Sequence, residues 1–304
     1  MAVQPPVNDS IREIDDMSWL LGEKLILSRS CSASPPFSWY DGSTFYYRIT
    51  EATQKPQISR SRLTALSDSV RLVHSAGNES AVWEVGNAFV KVKLSGPPDT
   101  TREHVTLAWV KDRSPSFAIP EVLYHDEWEG RYYLVLSKVP GQTLAQIWSS
   151  MDEATKFRYV DRIVDVCQEL AEYKANFIGG VDGRYLPDSL LIKRGGEKDF
   201  SNQNLAKNCK DLKMDCTEFV FFHCDLGPGN LVIASNGLLG IIDWETAGFV
   251  PKQWIRTRFC VSDGLNLPGT DDARFDWRKS VQKQLSTKGY EEIADAWMAW
   301  WQSE

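Results

Sequence analysis

In the stretch FFHCDLGPGN an apolar run ends in a short polar loop that holds His223, Asp225 and Asn230. A second apolar run, LLGIIDWE, ends on Asp243. Between the runs lies Asn236-Gly237, a dipeptide that favours a tight hairpin turn. The pattern predicts two short strands that deliver carboxylates to one place. A carboxylate in such a loop can orient a hydroxyl and take its proton. An amide oxygen and a second carboxylate are the hard donors that magnesium prefers. Phosphoryl transfer asks a protein for little more than these, because its loose transition state is served mainly by positioning and charge neutralisation.

The reaction also needs a fixed cation for the phosphates, and Lys91 in the strand-like FVKVKL offers one. Lys93 shares its face by the two-residue period of a strand and is the rival. Glu103, on the helix that should follow, would hold the lysine by an ion pair. The expected roles are therefore Asp225 as base, Asn230 and Asp243 as magnesium ligands, and Lys91 with Glu103 at the nucleotide phosphates, in the order of the general kinase template. His223 is expected to be structural, bonding the loop backbone or packing beside Asp243. Cys224 is expected to be an inert thiol.

These residues need a scaffold. The first forty residues read as loops around one short element, MSWLLGEKLIL, with QPPVNDS and SASPPFSW as breaks. From 45 to 94 the pattern is β-like, with FYYRIT, VRLVH, AVWEV and FVKVKL as strands and Gly86-Asn87 as a hairpin signal. DTTREHVTLAWVKD reads as a helix capped by Asp99 or Thr100, with Val105 and Trp109 on one face. PEVLYHDEWEGRYYLVLSKV reads as a hairpin turning at Glu129-Gly130, and Pro140-Gly141 breaks the pattern. Beyond it, Phe157, Val160, Ile163, Val164, Cys167 and Leu170 recur at helical spacing. The polar stretch around 193–215 carries weak signals, and the tail sets Ile293, Trp297 and Trp300 on one helix face. The predicted fold class is α+β and bilobal. The lobes would be a small β-rich nucleotide-binding lobe over 1–136, a hinge over 137–141 and a mostly helical catalytic and acceptor-binding lobe over 142–304.

Composition narrows the partners. The formal net charge is -7 and the isoelectric point about 5.3. This argues against nucleic acid, which requires a basic face, and leaves room for a cationic small-molecule acceptor. Acids such as Asp182, Asp188, Asp263, Asp271 and Asp272 motivate that expectation. The amino-terminal stretch has neither the basic start nor the apolar core of a secretory signal. No apolar run reaches the ~20 residues of a membrane span. The six cysteines (31, 167, 209, 216, 224 and 260) form no CxxC pair. Reduced thiols in a cytoplasmic protein are the expectation.

The stretch HCDLGPGN…GIIDWETAGFVPKQW resembles the catalytic loop and metal strand of the aminoglycoside phosphotransferase and choline kinase-like family. With FIGGVDGRYLPD, REHVTLAWVKDRSPSFAIPEVLYH and YYLVLSKVPGQTL, it most resembles the branch common in filamentous fungi. The resemblance spans about residues 68–260. It implies a protein-kinase-like fold, ATP and Mg2+ as cofactors, and phosphorylation of a hydroxyl on a small molecule. It also implies that the backbone from Ser137 to Val139 meets the adenine. Two departures stand out. Cys224 sits where the family commonly has glycine, and HSAGNESAVWEV is a poor glycine-rich loop with Gly77 alone before Glu79. The irregular loop motivates the alternative of a kinase-like binding module without turnover.

Overall fold

A computed structural model describes residues 6–33, 37–54 and 69–303. Part of SASPPFSW (34–36) and residues 55–68 of the β-like stretch lie outside the described residues. The chain divides into two compact units. One takes the residues up to Pro98 together with Pro120–Lys138, and the other takes Asp99–Ile119 with Val139–Glu304.

The first unit holds two five-stranded antiparallel sheets. In one, β1 (Ile11–Asp15), β2 (Ser18–Leu21), β3 (Leu25–Ser30), β4 (Ser38–Tyr40) and β5 (Tyr46–Glu51) take the order β1-β2-β3-β5-β4. The single element expected around MSWLLGEKLIL is thus a hairpin inside a complete sheet, turning at Gly22 with φ of 64°. The sequence conceals it because Trp19, Leu20 and Leu21 are all fully buried. A run buried on both faces shows no alternation to read.

The second sheet is formed by β6 (Arg71–Ser75), β7 (Ser80–Val85), β8 (Ala88–Leu94), β9 (Val122–Trp128) and β10 (Arg131–Ser137), in the order β6-β7-β8-β10-β9. Its turns fall where the sequence signals them, at Gly86-Asn87 and at Glu129-Gly130, where φ is 50° and 70°. Ala81, Trp83, Val85, Ala88, Val90 and Val92 share one core with Trp19, Leu27, Trp39 and Tyr47 of the first sheet. That core fixes the other face of β8. Alternation turns Phe89, Lys91 and Lys93 away from it, and all three are half-buried.

In the second unit, α1 (Glu103–Lys111) packs Trp109 against Phe221 at 4.5 Å and Phe249 at 5.8 Å between ring centroids. The helix starts later than the expected cap, with Arg102 at the capping position and no side-chain cap bond. Short α2 (Leu144–Ile147) carries a capping box from Thr143 and Gln146. Helix α3 (Glu153–Ala171) buries Val160, Ile163, Val164, Cys167 and Leu170 as the spacing predicts. Phe157 is a correction: it is 58% exposed, one turn ahead of the buried stripe. The polar stretch folds its end into α4 (Asn202–Asp211), capped by Ser201 and buried through Leu205 and Cys209. The carboxyl-terminal part adds α5 (Lys252–Val261), α6 (Asp276–Thr287) and α7 (Ala294–Gln302). On α7 Trp297 is buried, whereas Trp300 is half-buried and Ile293 occupies the cap position.

Two small antiparallel sheets carry the polar loop. One is β11 (Gln142–Thr143), β14 (Leu231–Ile233) and β15 (Leu239–Ile241), and the other is β12 (Lys174–Ala175), β13 (Phe219–Phe222) and β16 (Gly248–Pro251). Gly141 leads into β11 with φ of 138°, and a Cβ there would lie 2.3 Å from the Ile233 carbonyl oxygen. Gly141→Ala should therefore lower the stability of the second unit by about 2 kcal/mol or more, combining a glycine-only backbone with a clash. Chemical denaturation followed by tryptophan fluorescence checks this, and an unchanged midpoint would contradict it.

Candidate active site

The loop between β13 and β14 starts with strain. Cys224 adopts φ of 62°, the left-handed region that favours glycine. Its side chain is fully buried, with Sγ 3.6 Å from the Phe222 carbonyl oxygen. A thiol thus occupies a glycine-like backbone by turning its side chain into the core, and burial pushes that thiol well above its ordinary range. Asp243, across the hairpin, is another such residue, with φ of 66°. Non-glycine residues in this region cost of order 1–3 kcal/mol each and gather at functional sites.

His223 explains how the loop keeps its shape. It is fully buried, its Nδ1 accepts from Asp225 N at 3.2 Å, and its Nε2 lies 3.1 Å from the Ile242 carbonyl oxygen. Because Nδ1 accepts, the ring proton sits on Nε2 and is donated to Ile242. The ring also meets Trp244 edge-on at 4.6 Å. One imidazole therefore ties the backbone of Asp225 to the residue before Asp243.

Asn230 closes the loop from its other end. Its Nδ2 donates to both the backbone oxygen and Oδ2 of Asp225, each at 2.9 Å. Its carbonyl oxygen accepts from Ile242 N at 3.0 Å. These bonds hold Asp225, Asn230 and Asp243 as one constellation and leave the amide Oδ1 of Asn230 uncommitted by them. Gly227 lets the loop pass close to its neighbour, since a Cβ there would lie 2.8 Å from the Gly264 carbonyl oxygen.

Asp225 is half-buried. Burial pushes its carboxyl up to about 6; Arg258 and the Asn230 hydrogen bond oppose this, and Asp243 and Asp188 add to it. Arg258 Nη2 lies 3.9 Å from Asp225 Oδ1, while Arg258 Nη1 donates to Asp188 Oδ1 at 3.0 Å. Asp188 also accepts from Trp254 Nε1 at 2.8 Å and Leu190 N at 3.0 Å. Sequence reading placed Asp188 among acids available to an acceptor. Instead it is 2% exposed and bound on three sides. Neither Arg258 nor this network was anticipated, because α5 brings Arg258 in from a region with no motif.

On the other side of the hairpin, Trp244 anchors the segment that follows β15. It is fully buried, its Nε1 donates to Ile241 O at 2.9 Å, and it stacks near Phe117 and Phe221. Its backbone N donates to Glu103 Oε1 at 3.2 Å, so α1 is tied to this strand. Carboxylate oxygens of Glu103, Asp243 and Glu245 lie within 4.8 Å of one another. Hard oxygens gathered in this way are of the kind that suits magnesium. Glu245 has no role among the residues expected from sequence, although its place two residues after Asp243 was the available signal.

The structure brings together Asp225, Asn230, Asp243 and Glu103 in the second unit. Lys91 belongs to β8 of the first unit, opposite Leu134 and Val82 in the ladder. In the expected hinge, Ser137 N donates to Glu121 O at 2.9 Å and Lys138 N to Asn87 O at 2.8 Å. Of the three amides from Ser137 to Val139, two are thus already bonded. Gly77 stands in a tight turn between β6 and β7, closed by Ala76 N to Ser80 O at 2.9 Å.

Residues 71–251 match the phosphotransferase enzyme family, and the chain belongs to that family. The sheet of β1 to β5 precedes the matched region. No curated protein matches the chain in sequence. Among solved structures, aminoglycoside phosphotransferase APH(3'')-Id from Streptomyces rimosus is similar at 16% identity and a TM-score of 0.50, covering 77% of this chain and 90% of its own. A thermostable mutant of aminoglycoside phosphotransferase APH(4)-Ia, in ternary complex with AMP-PNP and hygromycin B, is similar at 16% identity and a TM-score of 0.50, covering 76% and 82%. At such identities the likeness speaks to the fold, which is the α+β, protein-kinase-like fold of these enzymes. No helix among the described residues is long and apolar enough to cross a membrane.

Proposed function

We propose that this member of the phosphotransferase enzyme family transfers the γ-phosphoryl group of ATP, with Mg2+, to a hydroxyl of a small molecule. The observation that supports the reading is the hydrogen-bonded unit of Asp225, Asn230 and Ile242-Asp243, in which a carboxylate is tied to a loop and strand end that carry further hard oxygens. In it Asp225 takes the acceptor's proton as the hydroxyl attacks. Its raised proton affinity suits that task, because a base works best when its pKa lies near the working pH. Asn230 and Asp243 hold the metal, with Glu245 as a further oxygen. Bound magnesium would neutralise the charge on the phosphate oxygens. Arg258, held by Asp188, keeps the Asp225 carboxylate oriented.

The remaining roles follow the family. Lys91 binds the α- and β-phosphates and Glu103 orients it, with Trp244 N fixing one oxygen of Glu103. The adenine meets the segment Ser137 to Val139, where Val139 supplies the amide, since those of Ser137 and Lys138 are bonded elsewhere. Residues 1–136 form the nucleotide-binding lobe, residues 137–141 the hinge, and residues 142–304 the catalytic and acceptor-binding lobe. We place the chain in the fungal branch of the family and in the cytoplasm. A cationic or amine-bearing acceptor fits the net charge of -7 and the surplus of carboxylates over Arg258 at the site. Label transfer from γ-labelled ATP into a metabolite extract, compared between wild type and Asp225→Asn, tests the reading. Nucleotide binding with no transfer or hydrolysis by the wild type would favour the binding module instead.

The lysine assignment has its own test. Lys91→Ala should raise the KM for ATP and lower turnover, whereas Lys93→Ala should leave both near wild type. Both residues lie on the same face of β8, so a reversed result would mean that the phosphates meet the strand one pleat nearer its end.

A further inference from the structure

The proposed function assigns no part to the stretch FIGGVDGRYLPD, yet this stretch meets the start of α1. The helix begins without a side-chain cap, since Arg102 makes no such bond. Its entry is held instead by the turn from Gly179 to Tyr185. Tyr185 N donates to the Asp99 carbonyl oxygen at 2.8 Å, and Thr101 N donates to the Tyr185 carbonyl oxygen at 3.1 Å. The two segments run parallel where Thr100 bridges to Tyr185. The side chains then close the contact. Thr101 Oγ1 donates to Asp182 Oδ1 at 2.5 Å, and the same oxygen accepts from Arg184 N at 3.2 Å. Thr100 and Thr101 are both buried.

Glycines permit this approach. A Cβ on Gly180 would lie 1.8 Å from Thr101 Oγ1, and one on Gly248 would lie 2.5 Å from the Gly179 carbonyl oxygen. Gly179 and Phe249 exchange both backbone bonds, at 3.2 and 2.7 Å. The turn is therefore fixed to β16 on one side and to the start of α1 on the other. Two residues after Thr101 comes Glu103, itself buried. Its Oε1 accepts from Trp244 N at 3.2 Å, and its carboxylate stands in the cluster with Asp243 and Glu245. Trp109 anchors the middle of α1 among Phe221 and Phe249, and the turn anchors its first residues.

We propose that Thr101 and Asp182 are positioning residues for the phosphotransferase site. Their hydrogen bond latches the start of α1 to the turn at 179–185 and so sets where the Glu103 carboxylate stands. The latch rests on the function proposed above. It keeps Glu103 in place before the nucleotide arrives, which spares Mg-ATP the cost of ordering that side chain.

Thr101→Val keeps the shape of the side chain and removes its donor. Calorimetry of Mg-ATP binding, at a temperature where tryptophan fluorescence reports a fully folded chain, should show affinity weakened about fivefold, the scale of one net hydrogen bond. Thr101→Ser keeps the donor and should restore wild-type affinity. Asp182→Ala should weaken binding by the same factor, and Thr101→Val with Asp182→Ala no further, because both changes delete one interaction. Wild-type affinity in Thr101→Val, or a serine variant as weak as the valine one, overturns the latch. A wild type with no affinity for Mg-ATP removes the phosphotransferase reading itself, and the latch with it. Asp182 is exposed, so its alanine variant decides the matter if Thr101→Val does not fold.

Discussion

Asp225→Asn should lower phosphoryl transfer by ~10²–10⁴ while Mg-ATP affinity stays near wild type, because a general base contributes on that scale. The substitution is nearly isosteric. The amide keeps an oxygen to accept from Asn230 Nδ2, which now bonds Oδ2 at 2.9 Å, so the loop should hold its shape. It loses only the capacity to take the proton. Asp243→Asn should behave differently, since it removes a full charge from the cluster with Glu103 and Glu245. Magnesium dehydrates reluctantly and prefers charged oxygen ligands, so the magnesium requirement should shift upward and Mg-ATP should bind more weakly. Calorimetry of Mg-ATP binding to both variants, beside single-turnover rates, separates the roles. Equal loss of nucleotide affinity in both would mean that Asp225 also serves the metal, and its role as base would have to be withdrawn.

Much of this site is legible in the sequence because its parts are local. Asp225 and Asn230 share one loop, and the turn at Asn236-Gly237 returns the chain so that Asp243 arrives beside them. A hairpin is a short-range device with its own residue code. Glu103 is legible as a helix residue, but its bond to Trp244 N is not, since that contact closes over a long sequence separation. Arg258 and Asp188 lie further beyond reach. Neither belongs to a motif, and Asp188 reads as an ordinary solvated acid until the structure shows it 2% exposed. Of the amino-terminal sheet only β5 (Tyr46–Glu51) was legible, as FYYRIT, and the rest was hidden for a different reason. Its strands are short, and the most buried one, Trp19-Leu20-Leu21, shows no alternation. Helix α4 was hidden by composition: a polar helix with only Leu205, Asn208 and Cys209 buried carries little periodic signal.

The pair that motif reading could not find should dominate the stability of the second unit. Asp188 is 2% exposed and Arg258 6%, so both charges are out of water. Removing one partner of a buried pair costs about 3–5 kcal/mol, because the other charge remains. The two removals are not equivalent. A stranded carboxylate can take up a proton and still accept from Trp254 Nε1 and Leu190 N. A stranded guanidinium stays charged at any ordinary pH. Asp188→Ala should therefore destabilise more than Arg258→Met, and the combination Asp188→Leu with Arg258→Met should recover part of the loss by replacing the pair with apolar contact. Urea unfolding of the set measures this, and equal losses from the two single changes would contradict the asymmetry. Catalysis adds a second reading. In Asp188→Asn, Arg258 loses its nearer counter-charge, and the next carboxylate is Asp225 Oδ1 at 3.9 Å. The guanidinium should close on Asp225 and hold its lone pair, so turnover should fall while Mg-ATP affinity is kept.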